Sequence, residues 1–450
     1  MDITIVGLGP GDSSLLTAEA REVLENSTEI YLRTRHHPLA SSLPGHLTIH
    51  SFDYLYEDEE EFSAVYQEIA RRILELGRRP QGVIYAVPGH PVVGEESVRR
   101  ILTLAKEEGL RVRLVVGLSF IDAILVSLGI DPLEGLQVVD ATVLAARLHP
   151  NLDPDLPALV GQLYNRRVAG EVKLTLMNLY PAEHPVTLIH QAGTAEAKTE
   201  PLPLHELDHV KDIDHLTALH VPPRPNPSSV STFHDIVARL RAPGGCPWDR
   251  QQTHQTLRPH LLEETYEVLE ALDKEDDAAL REELGDLLLQ IILHTQIAAE
   301  DGAFTLAQVL ETIIAKIIRR HPHVFANLEV ADADEVLRNW EAIKRTEKPG
   351  EDKPLWGMPL SLPALTLAQR AQERGKREGL PSPNKEELLA EIGERLKRLE
   401  TTRDQDGRAQ ELGQLLFALA HLGHQIGVDA ESALRTATRR FSEDQRPSTQ

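Results

Sequence analysis

The alternation of apolar and polar positions changes character along the chain. Through residue 222, short apolar runs alternate with amphipathic stretches. "ITIVGLG", "GVIYAVPG", "VRLVVG" and "LTLMNLY" (3–9, 82–89, 112–117 and 174–180) read as short buried strands. "LLTAEAREVLEN", "VYQEIARRILELG" and "ESVRRILTLAKEEG" space their apolar residues at helical intervals. Such alternation predicts an α/β domain with a largely parallel sheet covered by helices. "PVTLIHQAG" and "LTALHVPP" then predict a second, mixed sheet before this segment ends.

"VPPRPNPSSVST" is rich in proline, serine and asparagine, which places a linker at 223–232. From Phe233 onward strand signals nearly vanish and helical periodicity dominates, so the remainder is expected to be all-α. A second break, "EKPGEDKPLWGMPLSLP", divides it into 233–350 and 351–446. "ELGQLLFALAHLG" (411–423) partly copies "EELGDLLLQIILHTQ" (282–296), predicting a repeated helical unit.

In that earlier stretch apolar side chains cover most of the helix circumference. Glu283, Asp286, Gln290 and His294 share the one narrow polar stripe. A helix apolar on nearly all sides expects burial, and carboxylates are seldom buried without a partner. Upstream, "HLLEETYEVLEAL" (260–272) is an amphipathic helix carrying Glu264 and Glu267, with Leu262 and Leu272 on its apolar side. Each acidic pair is spaced i,i+3 and projects from one face. Alone, Glu264 and Glu267 read more readily as a solvated face; the two pairs together favour a site for a hard cation. Magnesium prefers carboxylate and water ligands and shares them with phosphates.

At 450 residues the chain has room for two or three domains, and 41% apolar with 26% charged residues is a globular composition. Seventy acidic against 47 basic residues give a net charge of -23. That balance argues against general binding to DNA, RNA or an anionic membrane, while leaving room for a phosphorylated small molecule held through a metal. The single Cys246 excludes an intrachain disulfide framework. "MDITIVGLGPGD" reads as a strand and turn rather than a signal peptide, and no apolar run approaches the ~18 residues of a membrane span. A cytoplasmic protein is expected.

The blocks around the acidic pairs carry a resemblance. "GGCPWDRQQTHQTL" precedes them, "RRHPHVFAN" follows, and "NWEAIK" comes further on, so that residues 233–346 resemble the all-α nucleoside triphosphate pyrophosphohydrolases of the MazG type. The resemblance implies that Glu264, Glu267, Glu283 and Asp286 hold Mg²⁺ and that water cleaves between the α and β phosphates, releasing a nucleoside monophosphate and diphosphate. It implies phosphate contacts from Lys316, Arg319 and Arg320, and nucleotide contacts from Trp340 and Lys344. Trp248, Asp249 and His254 are weaker candidates, since "CPWD" fits equally a role in ordering its loop. His321 and His323 read as metal ligands or, beside Pro322, as part of a turn. A homodimer or higher homo-oligomer is expected from the same resemblance.

"SLPALTLAQRAQERGKREG" (361–379) resembles the start of the second repeat in tandem MazG proteins. Glu391, Glu394 and Glu411 fall at its metal positions, but Gln414 replaces the fourth carboxylate. This copy is expected to be degenerate and to serve packing or dimerisation.

"VGLGPGD" (6–12) alone fits a plain strand-to-helix turn. With "YAVPGHPVVGE", "VVGLSFIDAI" and "AGTAEAKTE" following in order, residues 1–222 resemble the tetrapyrrole (corrin/porphyrin) methylases, which bind S-adenosylmethionine between two α/β subdomains. The implied cofactor contacts are Pro10, Gly89, His90, Val93, Ser119, Phe120, Leu163 and Gly193. Two departures stand out: Gly89-His90-Pro91 replaces the usual Gly-Asp-Pro, and Arg33 in "YLRTRHHP" stands where the family often has an acidic residue. A cation in that place points away from a standard tetrapyrrole acceptor. "RTRHHP" fits either the reception of an anionic group or a plain charged loop. End to end the chain resembles the YabN-type fusions of these two domains. The leading expectation is a metal-dependent hydrolase of nucleoside triphosphates carrying a methylase-like domain. Its alternatives are a methyltransferase whose helical region only dimerises, and a nucleotide-binding regulator without turnover.

Overall fold

The computed structural model describes residues 2–58, 62–347 and 358–444. The expected boundary at 350 lies outside them. The first half contains two five-stranded sheets. In the first, β1 (Ile3–Gly7), β2 (Glu29–Leu32), β3 (Thr48–Ser51), β4 (Val83–Val87) and β5 (Val112–Val115) run parallel in the order β3-β2-β4-β1-β5. Every residue of β1 is buried, as a central strand covered on both faces requires. Helix α1 (Ala18–Glu25) packs Ala20 and Leu24 on one face. Helices α2 (Asp53–Asp58), α3 (Phe62–Gly77) and α4 (Glu96–Glu108) follow, and Ile69, Ile73, Val98 and Ile101 join Ile3, Ile5 and Tyr85 in the other core.

Helix α5 (Phe120–Leu128) leads to the second sheet, where β6 (Gln137–Asp140), α6 (Ala141–Ala145), β7 (Ala158–Gly161) and α7 (Arg166–Leu176) precede β8 (Pro185–His190), β9 (Lys198–Pro203) and β10 (Thr217–Val221). The order β6-β7-β10-β8-β9 is mixed as expected: β6 and β7 pair parallel, the others antiparallel. One expected strand is wrong. "LTLMNLY" begins in the last turn of α7, because Val168, Val172 and Leu176, spaced by four, bury one helical face in the core of this sheet.

The proline-rich stretch is tied down. Arg224 donates its backbone N–H to Pro154 O at 2.8 Å, while Ser228 and Ser229 N–H groups reach the Asp155 carboxylate at 2.7 and 3.1 Å. Ser229 Oγ then accepts from Thr232 N at 2.9 Å and caps α8 (Val230–Arg241). The chain divides into two compact units, residues 1–306 and 307–450.

After α8 all regular structure described is helical: α9 (Pro247–Gln251), α10 (His254–Asp273), α11 (Asp277–Glu300), α12 (Leu306–Arg320), α13 (Pro322–Phe325), α14 (Ala333–Glu347), α15 (Ala364–Arg377), α16 (Lys385–Thr401), α17 (Gln405–Gln425) and α18 (Ala430–Asp444). Val237 of α8, Leu257 of α10 and Ile292, Leu293 and Ile297 of α11 form one small core.

Candidate functional site

Helices α10 and α11 form an antiparallel hairpin. Thr253 Oγ1 caps the first by accepting from Thr256 N at 3.2 Å, and Asp276 caps the second by accepting from Ala278 N and Ala279 N at 3.0 and 3.1 Å. The hairpin brings three of the four acidic residues into one cluster, while Asp286 stays outside it, with its charge acting on Glu264. Carboxylate oxygens of Glu264, Glu267 and Glu283 all lie within 4.8 Å of one another. Burial, then the Asp286 and Glu267 charges, push the Glu264 carboxyl above the usual carboxylate range. Burial, then Glu267, Glu282 and Asp286, do the same to Glu283. The ion pairs described on α10 use Glu263 and Glu270 instead, so among the described residues no lysine or arginine neutralises the cluster. Uncompensated carboxylates crowded this closely are the donor set a hard divalent cation takes.

The expected burial of α11 on nearly all sides does not hold. Gln290, Ile292 and Leu293 are buried, but Leu284, Leu288 and Ile291 are 49%, 37% and 42% exposed. Leu262 and Leu272 of α10 are about half exposed too, and Glu267 and Asp286 face solvent.

Farther along the hairpin, the His254 and His294 rings stack with centroids 5.1 Å apart and share an Nδ1–Nδ1 hydrogen bond of 2.8 Å. One ring must donate and the other accept, so His254 is spent on His294. Trp248 is 54% exposed and makes an edge contact with His260. The ordering role weighed for "CPWD" has a residue that sequence reasoning missed. Arg241, buried at the end of α8, pairs with Glu300 at 2.8 Å and donates to the Asp249 and Gln252 carbonyls. In the sequence it looks like any cation closing a helix.

In the second unit, Glu347 receives both Arg319, at 2.7 Å, and Arg320. These two, Arg320 first, hold its carboxyl down to about 2. The Arg320 guanidinium and the Lys344 ammonium lie 4.8 and 5.1 Å from the Trp340 ring centroid. Lys316 is half-buried on α12, whose Ile314 is 54% exposed. His321 hydrogen-bonds Ile317 O at 2.7 Å where α12 gives way to α13, as a turn residue would.

The second hairpin, α16 and α17, differs where it matters. Arg395, one turn beyond Glu391, lies 3.3 Å from both Glu391 and Glu411. Glu394 is paired with Arg398 at 3.4 Å. Val268 occupies the position of Arg395 in the first hairpin. The second copy thus supplies its own cation.

In the α/β half, a cavity of about 1100 Å³ is lined by Pro10, Gly89, Val93 and Phe120 of the expected cofactor positions. Glycine is required around it. A Cβ on Gly7 or Gly117 would stand 2.6 or 2.3 Å from Gly89 O, and one on Gly193 2.6 Å from Pro10 Cγ. Gly9 and Gly89 hydrogen-bond across this crossing, leaving backbone edges at the cavity wall. A flat adenosyl group fits such a cradle. Ser119, buried, caps α5 by accepting from Ile121 N at 2.9 Å, and His90 Nδ1 accepts from Val92 N at 3.2 Å. The Leu163 side chain is fully buried in the core of the second sheet; its neighbours Gln162 and Tyr164 line the cavity instead.

Fold and site define a two-part chain, an α/β methylase-like half followed by helices with a carboxylate cluster. Residues 2–208 match the family model of tetrapyrrole (corrin/porphyrin) methylases, and residues 252–325 that of the MazG nucleotide pyrophosphohydrolase domain. The protein YabN of Bacillus subtilis strain 168 is 42% identical over 377 residues, which are 82% of this chain and 76% of that one. The chain belongs to the family that YabN represents, in which a tetrapyrrole methylase domain precedes a MazG domain. The nucleoside triphosphate pyrophosphohydrolase/pyrophosphatase MazG of Thermotoga maritima is 44% identical over 215 residues, 46% of this chain and 80% of that one. A nucleoside triphosphate pyrophosphohydrolase of Escherichia coli K12 is 42% identical over 214 residues, 46% of this chain and 81% of that one.

Proposed function

We propose that the helical half hydrolyses nucleoside triphosphates to monophosphate and diphosphate with Mg²⁺ held by Glu264, Glu267, Glu283 and Asp286, as a nucleotide-pool housekeeping activity. One observation carries this reading: the first hairpin gathers carboxylates with no internal cation, whereas the second neutralises its own with Arg395. A bound metal supplies charge neutralisation for the triphosphate and acidifies a water. The protein's part is to hold the carboxylates converged, and a bound cation would keep them ionised. Glu264, the most buried of the α10 pair and raised by its neighbours, is placed to take a proton from water once a cation relieves the crowding. On the MazG resemblance alone, phosphate contacts from Lys316, Arg319 and Arg320 and nucleotide contacts from Trp340, Lys344 and Trp248 belong to the same proposal.

The activity of the MazG relatives supports the substrate class. With Mg²⁺ and a nucleoside triphosphate panel, the chain is expected to release diphosphate, and excess EDTA to stop it. Glu267→Ala is expected to lower the rate by about 100-fold or more. A variant as active as wild type would place the site elsewhere.

For the α/β half we propose S-adenosylmethionine as the cofactor, held at Pro10, Gly89, His90, Val93, Ser119, Phe120, Gly193 and the backbone beside Leu163. The glycine crossing at the cavity wall supports it. We further propose a cytoplasmic homodimer or higher homo-oligomer that covers the exposed apolar side of α10 and α11; no described helix is long and apolar enough to cross a membrane.

A further inference from the structure

The cavity of the α/β half is larger than its cofactor positions need. Pockets for one small ligand run to roughly 300–1,000 Å³, and the wall of this one also includes Arg33, Tyr56, Tyr66, Glu95 and Tyr164, here called its Arg33 chamber. Arg33 lies at the end of β2, and its guanidinium is poorly matched. Its only ion pair among the described residues is Nε to Glu95 Oε2 at 3.4 Å, and that contact lacks hydrogen-bond geometry. A guanidinium carries five N–H donors in a planar fork made for two parallel bonds to one carboxylate. Among the described residues no carboxylate fills this fork.

The acidic groups around it are already occupied. Glu95 Oε1 accepts from Ser97 Oγ at 2.8 Å. Asp53 accepts from Thr34 Oγ1 at 2.6 Å and Arg35 N at 2.8 Å, and Asp214 accepts from Leu216 N at 2.9 Å and Thr217 Oγ1 at 3.0 Å. These described carboxylates accept hydrogen bonds from neutral internal donors, whereas no hydrogen bond from the Arg33 side chain is formed among the described residues. The nearby His37 donates Nε2–H to Gly9 O at 3.0 Å, and burial pushes its imidazole down to about 4, so it stays neutral.

The chamber's other walls are aromatic. The Tyr56 and Tyr66 rings meet edge to face at 6.3 Å, and Phe120 and Tyr164 also line the space. Such walls take a flat ring. The half-satisfied Glu95 beside Arg33 leaves the pair without net charge, which suits a monoanion better than a phosphate dianion.

We propose that the Arg33 chamber binds a small planar molecule bearing one carboxylate, gripped by the Arg33 fork between tyrosine rings, beside the cofactor positions. A single fork meets a single carboxylate, unlike a polycarboxylate macrocycle. The site belongs to the methylase-like half and stands whether or not the helical half hydrolyses nucleotides.

Calorimetry on the full chain with indole-3-carboxylate, indole-3-carboxamide and indoxyl phosphate tests it. The carboxylate is expected to bind about tenfold or more tighter than the carboxamide, and S-adenosylhomocysteine is expected not to displace it. Arg33→Met with Glu95→Gln removes both charges of the pair together; if the melting temperature holds, the carboxylate preference should vanish. Arg33→Lys keeps the charge without the fork and should lose most of the preference, so the test survives misfolding of the double variant. Equal binding of carboxylate and carboxamide overturns the proposal, as does no carboxylate binding below about 10 mM. So do tighter binding of the phosphate, displacement by S-adenosylhomocysteine, or a preference that persists in a folded Arg33→Met/Glu95→Gln chain.

Discussion

Glu264 and Glu283 give the site a pH signature that a solvated pair of glutamates would lack. Both carboxyls are raised, first by burial and then by neighbouring carboxylates. A group that binds its proton more tightly folded than unfolded stabilises the fold below its unfolded value, about 4.3 for glutamate. That contribution is lost as pH rises through the folded value. Metal-free protein is therefore expected to melt at a higher temperature on moving from pH 7 toward 5, relative to a Glu264→Gln/Glu283→Gln chain measured alongside. Mg²⁺ competes with those protons, so the melting temperature it adds should be larger at pH 8 than at pH 5. A Mg²⁺ effect that does not vary with pH would separate the carboxylates from the metal. The identities of these residues were legible from spacing alone, because i,i+3 is a property of one helix. Arg241 was not: its partners Glu300, Asp249 and Gln252 lie up to 59 positions away along the chain.

Between the two hairpins, the same element differs at two side chains, Arg395 and Gln414. Arg395 lies between Glu391 and Glu411 in the second hairpin, where the first has Val268 and, on the proposed reading, a metal. Wild-type chain should bind Mn²⁺ at the first hairpin only, and Arg395→Val combined with Gln414→Asp should add a second class of sites in a calorimetric titration. A second class already present in wild type would overturn the reading of Arg395. Gln414 sets the second copy apart in the sequence, but Arg395 does not, because pairing it with Glu411 takes the fold of α16 on α17. The hairpin also needs its small core. Leu293 is 2% exposed among Val237, Leu257 and Ile292, so Leu293→Ala should cost about 2–5 kcal/mol in urea unfolding followed by helical signal. Among the strands, β1, β4 and β5 were readable as apolar runs. Strand β9, "KTEPLP", was not, since it alternates, carries prolines and lies at a sheet edge.

For the whole molecule, the exposed apolar positions of α10 and α11 are where the proposed oligomer is tested. Leu262, Leu284, Leu288 and Ile291 are between 37% and 49% exposed, a cluster that monomers rarely leave uncovered. Leu284→Glu with Ile291→Glu is expected to halve the mass measured by light scattering and to lower hydrolysis with it. An unchanged mass would show that these residues do not hold an oligomer. The sequence by itself determined the order of the parts, an α/β half before a helical half, because hydrophobic period is a local property that each segment carries alone. It also determined the acidic pairs, whose spacing fits one helix face. Only the tertiary structure decided that α10 folds back on α11 to crowd those carboxylates, that Asp155 ties down the proline-rich stretch, and that Arg33 meets Glu95 and the tyrosines at one cavity. Each of those depends on groups distant in the chain meeting across a turn or a sheet, and no local pattern records such a meeting.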